Sequence, residues 1–337
     1  MSGEMVREAA LFCLDLLRCP AITNIIVQDR LLDVLFSFVT TAESPTTTDT
    51  AKADGSPSKQ QGRKDESMYY GGSARRGFAA EVMDSPRMRN ELCPALMGLY
   101  VSCHAVAALD ANEDVQFDKF TVRGRIGKLL THLYQHPLPE PRQSIIGYLA
   151  GDGFQAFLLS AIDTITFTTY EALRSISFDR RVPVGFVSPQ AAEMKNRCIG
   201  TFMKSKQTFE MMNLLCEGEE AVRAYLHRRP ELLQRVALFV FTFFSRLFTA
   251  EVIASFHRGS YADWGLKAAS LVAPPVAFVM SCMQVSEAEQ ESFALLIVHV
   301  PDFDLEVFER VARLPEGAAL LPFISLSRYR IVLLKLF

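Results

Sequence analysis

The stretch Gln116–Leu133, QFDKFTVRGRIGKLLTHL, constrains the chain most, because its apolar residues fix both a secondary structure and a face. From Val122 they recur at Ile126, Leu129, Leu130 and Leu133, the i, i+4, i+7, i+8, i+11 spacing that lays one stripe along an α-helix. Arg125, Lys128 and Gln135 fall off that stripe. Gly124 and Gly127 sit inside the pattern although each costs a helix about 1 kcal/mol against Ala, which predicts a second helix approaching closely on that side. Asp118 stands where an N-terminal turn favours a capping oxygen and negative charge, so the helix is expected to begin there.

The same helical period recurs through most of the chain. Ala9, Phe12, Cys13, Leu16 and Leu17 predict a first helix broken at Pro20, and Leu31, Leu32, Leu35, Phe36 and Val39 a second, together a hairpin over residues 1–40. Residues 41–85 are rich in Thr, Ser, Lys, Asp and Gly with almost no large apolar side chain, and read as a disordered insertion. A helical core is expected over 86–314. It includes a helix on Leu92, Leu96, Leu99, Tyr100 and Cys103, then a long helix from Phe154 to Ile176. The β-branched run Ile162–Tyr170 would pass for a strand in isolation, but the longer helical period governs it. Helices follow over Ala191–Cys216, over Glu231–Phe256, which is apolar on most sides and so expected to be covered on both faces, and over Glu287–Val300. Residues 315–337 form an atypical apolar, basic tail. The fold class expected is all-α, a solenoid-like, armadillo-like stack of helical hairpins with one long disordered insertion and about nine to twelve helices.

Composition narrows the function classes. The 337 residues carry a net charge of −3, which gives no general attraction to nucleic acid or to an anionic membrane. The longest uncharged apolar runs fall short of the roughly 20 residues a bilayer requires, so no membrane insertion is expected. Seven cysteines with no CxxC pair, and charges inside the first apolar run where a signal peptide would have none, point to the cytoplasm or nucleus.

No arrangement of catalytic residues emerges. His132 and His136 are spaced i, i+4, but Leu133 stands where a zincin would carry its Glu, and no third ligand is placed. Cys103-His104 invites a nucleophile–base reading, yet Cys103 lies on the apolar stripe of its helix. Gly151-Asp152-Gly153 lacks the strand and the Lys-Ser of a phosphate loop. No metal and no cofactor is called for.

The motifs carry a resemblance. Cys19-Pro20, Ile22, Asn24 and Arg30-Leu31-Leu32-Asp33-Val34-Leu35-Phe36 come first. Next are Leu96 to Val101, then Gln116-Phe117-Asp118-Lys119-Phe120 with Arg123. Phe154, Phe157, Asp163, Thr166-Phe167 and Glu171-Ala172-Leu173 follow, and then Pro230-Glu231-Leu232 with Arg235. Together these blocks resemble the elongating-factor core of the ubiquitin conjugation factor E4 family. Beyond Arg235 the likeness fades, and Asp163-Thr164 replaces an asparagine–aspartate pair expected to anchor a loop.

The resemblance implies a scaffold role in polyubiquitin-chain assembly and proteasomal degradation. The implied partners are an AAA-type ATPase segregase, a ubiquitin-conjugating enzyme, ubiquitinated substrates and shuttle factors. It implies structural or partner-contact roles for Asn24, Arg30, Tyr100, Phe117, Asp118, Lys119, Phe120, Arg123, Phe157, Asp163, Glu171 and Arg235. In that family the U-box, a small domain of about 70 residues, positions the charged conjugating enzyme. The stretch after Leu314 is too short to hold one, so the ligase activity and the conjugating-enzyme contact are expected to be weak. Without the resemblance, the helical pattern reads as an α-solenoid protein-interaction adaptor unrelated to ubiquitin.

Overall fold

In the computed structural model, residues 2–40, 78–107, 113–151, 153–179, 189–249 and 268–336 are described; everything below concerns them. They form an all-α stack of fourteen α-helices and one short 3-10 helix, with no strand among the described residues.

The first hairpin is α1 (Gly3–Arg18) and α2 (Ile25–Val39). Ser2 opens α1, its hydroxyl accepting from the Met5 amide at 3.4 Å. The face α1 buries keeps Cys13 and Leu17 from the predicted stripe but is rotated away from Ala9, Phe12 and Leu16. Val6, Ala10, Cys13, Leu14 and Leu17 are inward, whereas Phe12 is 63% exposed. Leu11, Phe12, Leu14 and Leu16 are all apolar, so the period admits two neighbouring stripes, and packing against α2, α3 and α4 selects one.

Part of the stretch read as an insertion is ordered: α3 (Phe78–Met83) buries Ala79, Val82 and Met83 against α1 and α2. Residues 41–77 of that reading lie outside the described ones.

The middle of the stack is α4 (Pro86–Ala107), α5 (Glu113–Tyr134), α6 (Pro139–Leu149), α7 (Gly153–Asp179) and α8 (Pro189–Gly218). Val122, Ile126, Leu129, Leu130 and Leu133 are all at most 1% exposed, as the stripe predicts. The helix predicted to approach Gly124 and Gly127 is α8: a Cβ at Gly127 would stand 3.5 Å from the Met211 sulfur, and one at Gly124 4.0 Å from Cγ of Lys204. However, α5 starts at Glu113, so Asp118 is internal to the helix and is not its cap; nothing in Glu113–Lys119 breaks a helix.

Helix α7 runs unbroken through the β-branched stretch. Thr164 and Thr168 fit because their hydroxyls turn back to the carbonyls of Ser160 and Thr164, at 2.9 and 2.8 Å. Pro139 then serves at the start of α6, where a missing amide hydrogen is harmless.

The rest comprises α9 (Glu220–His227), α10 (Pro230–Leu247), α11 (Ala268–Met283), α12 (Glu287–Val298), α13 (Leu305–Ala312), the 3-10 helix (Pro315–Leu320) and α14 (Leu321–Leu336). Helix α10 ends at Leu247, earlier than the predicted Phe256; residues 250–256 lie outside the described ones. Ten of its residues are buried, but it is not covered on both faces as its apolar run predicts: Arg235, Leu238 and Arg246 leave one stripe exposed.

Within α11, Pro274 and Pro275 remove two amide donors, and the side-chain amide of Asn213 from α8 donates to the Pro274 carbonyl at 2.9 Å. The tail is continuous with the stack: α14 packs on α12 and α13, burying Phe323, Ile324 and Ser327. The short helices α3, α6 and α9 help bring the number above the expected one.

No single described helix is long and apolar enough to cross a membrane.

Aromatic packing knits the last third together. The Phe308 ring, 0% exposed, lies 5.1 Å from Phe244, 6.0 Å from Phe303 and 5.0 Å from Phe323, joining α10, α13 and α14. Phe308→Ala is expected to lower stability by about 3–5 kcal/mol. Phe12→Ala removes an exposed ring and should stay within about 0.5 kcal/mol. Urea unfolding followed by circular dichroism checks both.

Candidate functional site

The motif residues gather on one buried guanidinium. Arg123 reaches from α5 between α4 and α7, and its side chain is 0% exposed. A fully buried cation requires acceptors, and here they come from both flanking helices. Its Nε donates to the Tyr100 carbonyl at 3.0 Å; Nη1 donates to the Ser160 carbonyl at 3.2 Å, the Asp163 carboxylate at 3.0 Å and the Thr164 hydroxyl at 3.1 Å. Nη2 is buried with no hydrogen-bond partner. The guanidinium also lies 5.2 Å from the centroid of the Tyr100 ring, which in turn packs on Phe157 at 4.9 Å.

Lys119, one turn before Arg123, extends to the same carboxylate, with Nζ 3.1 Å from Asp163 Oδ2. Phe120 stacks on Phe167 at 4.2 Å, and the Lys119 ammonium stands 4.8 Å from the Phe120 ring centre. Thus Tyr100, Lys119, Phe120, Arg123, Phe157 and Asp163 come together from α4, α5 and α7.

Two cations converge on one carboxylate. Burial pushes the Asp163 carboxyl up, but Lys119 and Arg123 override it and hold it below the usual carboxylate range. Burial pushes the Lys119 ammonium down, against the pull of Asp163. Asp163 keeps 41% of its side chain open, so the cluster has one solvated edge and one sealed end. An ionised, doubly paired carboxylate is poorly suited to take or give protons near neutral pH; the arrangement clamps helices.

The remaining motif residues are dispersed. Asn24 caps α2, its side-chain oxygen accepting from the amides of Ile26 at 2.9 Å and Val27 at 3.2 Å. Arg30 is on the surface, 79% exposed, 3.7 Å from Asp33. Glu171, further along α7, lies 3.7 Å from Arg174. Arg235 is exposed on α10 and lines a groove facing α7. Phe117 and Asp118 lie on the α5 backbone, and their side chains are outside the described ones.

Asp163 and Thr164 stand where the resemblance implies a loop anchor, weakened here by the change from an asparagine–aspartate pair. They instead sit mid-helix in α7 and hold Arg123, because no loop interrupts the helix there. Sequence reasoning missed Ser160, whose contribution is a backbone carbonyl that residue type does not reveal.

The histidines and Cys103 are occupied otherwise. His132 Nε2 lies 3.2 Å from the Val39 carbonyl, and His136 Nδ1 accepts from the Leu138 amide at 3.2 Å. Burial pushes the His136 imidazole down, with His132 adding to the effect. No group of three His, Cys, Asp or Glu residues could hold a metal ion among the described residues. Cys103 is 1% exposed and burial pushes its thiol up to about 11, which leaves it protonated at neutral pH.

Two substitutions separate the halves of the clamp. Asp163→Asn leaves two buried cations facing each other and is expected to cost about 3–5 kcal/mol. Arg123→Met also removes the desolvation cost of the guanidinium and leaves Asp163 paired to Lys119, so about 1–2 kcal/mol is expected. Since the Asp163 pKa is depressed in the folded state, its stabilisation is full above the ordinary value of about 3.9 and is lost as pH falls through the lowered one. Melting temperatures measured between pH 2 and 6 should therefore fall less steeply in the Asp163→Asn protein than in the wild type.

No family model matches this chain, and neither a curated protein nor a solved structure matches it.

Proposed function

We propose that this chain is a scaffold in ubiquitin-chain elongation, of the kind its motifs resemble. The observation that supports the reading is the convergence of Tyr100, Lys119, Phe120, Arg123, Phe157 and Asp163 on one buried cluster. These residues are scattered through three motif blocks, and a chance likeness gives no reason for them to meet. The comparisons lend this reading no support. The scaffold would act in the cytoplasm or nucleus, holding an AAA-type ATPase segregase, shuttle factors and ubiquitinated substrates while a ubiquitin-conjugating enzyme supplies the chemistry.

A second reading, an α-solenoid adaptor unrelated to ubiquitin, is favoured by Arg235. This motif residue stands apart from the cluster, on an open groove.

The two readings separate in one experiment. The purified chain, immobilised, is exposed to the segregase and to tetraubiquitin, with an unrelated helical protein as control. The ubiquitin scaffold is expected to retain at least one of the two above control; retention of neither would leave the adaptor reading standing.

A further inference from the structure

Helices α7 and α10 lie side by side and leave a groove of about 310 Å³ between them. Gln155 and Arg235 line one hollow at one end, and Thr169, Phe243 and Leu247 line another toward the other, so the two helices run parallel. Phe239 and Phe243 form the floor. Leu238 and Tyr170 stand at the rims, 48% and 58% exposed.

The charges along this groove have one sign. The only charged side chains lining it are Arg235 and Arg246, both exposed, and neither has an ion pair or hydrogen bond among the described residues. They share one face of α10, separated by eleven residues or about 16 Å along the axis. Glu231, one turn before Arg235, forms no ion pair with it. An apolar trough with an exposed guanidinium at each end, unpaired among the described residues, has a definite complement.

We infer that the groove between α7 and α10 is a docking site for an amphipathic helix of a partner protein, whose apolar face fills the trough and whose carboxylates, about eleven residues apart, meet Arg235 and Arg246. Two parallel helices offer ridges between which a third packs, and helix-in-groove recognition reads apolar anchors at i, i+3, i+4 and i+7. The open rims suit a helix better than a thin chain, which an enclosed channel would hold. The chain's own segment 41–77 is a poor occupant, since its large apolar side chains are confined to Met68, Tyr69 and Tyr70. This inference goes beyond the scaffold reading and stands on the groove alone, so it can hold where the ubiquitin link fails.

The test uses the full chain and two fluorescent, helix-stabilised 16-residue peptides. Both carry the same Leu and Phe stripe; one has Glu at positions eleven apart, the other Lys. By anisotropy, the Glu peptide is expected to bind about tenfold more tightly than the Lys peptide. The double variant R235E/R246E, both positions being exposed, should keep the wild-type melting temperature and invert that preference. Leu238→Glu should abolish binding of both peptides. Equal affinity for the two peptides, or binding of neither, overturns the inference. So does tight binding of a fluorescent fatty acid that displaces the Glu peptide, or a dimer that Leu238→Glu dissolves; these would assign the groove to an acyl chain or to a second copy.

Discussion

A guanidinium with no access to water must be given acceptors, and that requirement decides how the middle of this molecule is put together. Arg123 takes a backbone carbonyl from α4, and a backbone carbonyl, a hydroxyl and a carboxylate from α7. Both carbonyls are groups that any residue supplies, but only if the helix stands at the right height and rotation. A register shift of one residue in α7 would turn Asp163 and Thr164 away by about 100° and leave the cation buried among apolar rings. Such an ion cluster adds little net stability over an apolar core of the same volume. Its larger effect is to make alternative registers expensive, which apolar packing alone does weakly.

The last third relies on a different device. There the aromatic rings pack on one another with few charges between them, and Phe209 of α8 bridges the two regions by lying 5.0 Å from Phe243 and 6.0 Å from Phe278. Rings tolerate sliding more readily than a guanidinium does, since offset and edge-to-face arrangements differ little in energy. Where polar specificity is needed, it is local: Asn213 donates to the Pro274 carbonyl where Pro274 and Pro275 have removed two amides from α11.

What could be read from the sequence was what a single helix determines by itself. The α5 stripe and the helical character of Ile162–Tyr170 followed from period and length, and the Gly124/Gly127 pair anticipated α8. The failures arise where two local solutions are close in energy or where the partner is distant. Phe12 and Val6 compete for the inner face of α1, and the packing of α2, α3 and α4 around it decides between them. Asp118 looks like a cap because its type suits one, yet nothing before it ends the helix. The clamp was half legible: its residues were named by their motifs, but their meeting depends on α7 lying against α5, and Ser160 enters through its backbone. The groove was not legible at all, because it exists only when α7 and α10, far apart in sequence, run parallel.

Helix α7 carries both features on neighbouring stripes, which meet where Asp163 and Tyr170 lie seven residues apart. Ser160, Asp163 and Thr164 turn toward α5 and the buried cation, while Ile162, Thr166 and Tyr170 turn toward α10. A helix of 27 residues is long enough to be held by one stripe and to offer the next. The clamp then has a consequence beyond stability. By fixing the rotation of α7 about its own axis, it sets which residues face α10, and so whether the trough between them is apolar. The threonines suit this double duty: back-bonded to their own helix, Thr164 and Thr168 satisfy their hydroxyls inside the core without needing water. The order of dependence therefore runs from the Arg123 guanidinium, through the rotation of α7, to the apolar wall that α7 presents opposite Leu238 and Phe239.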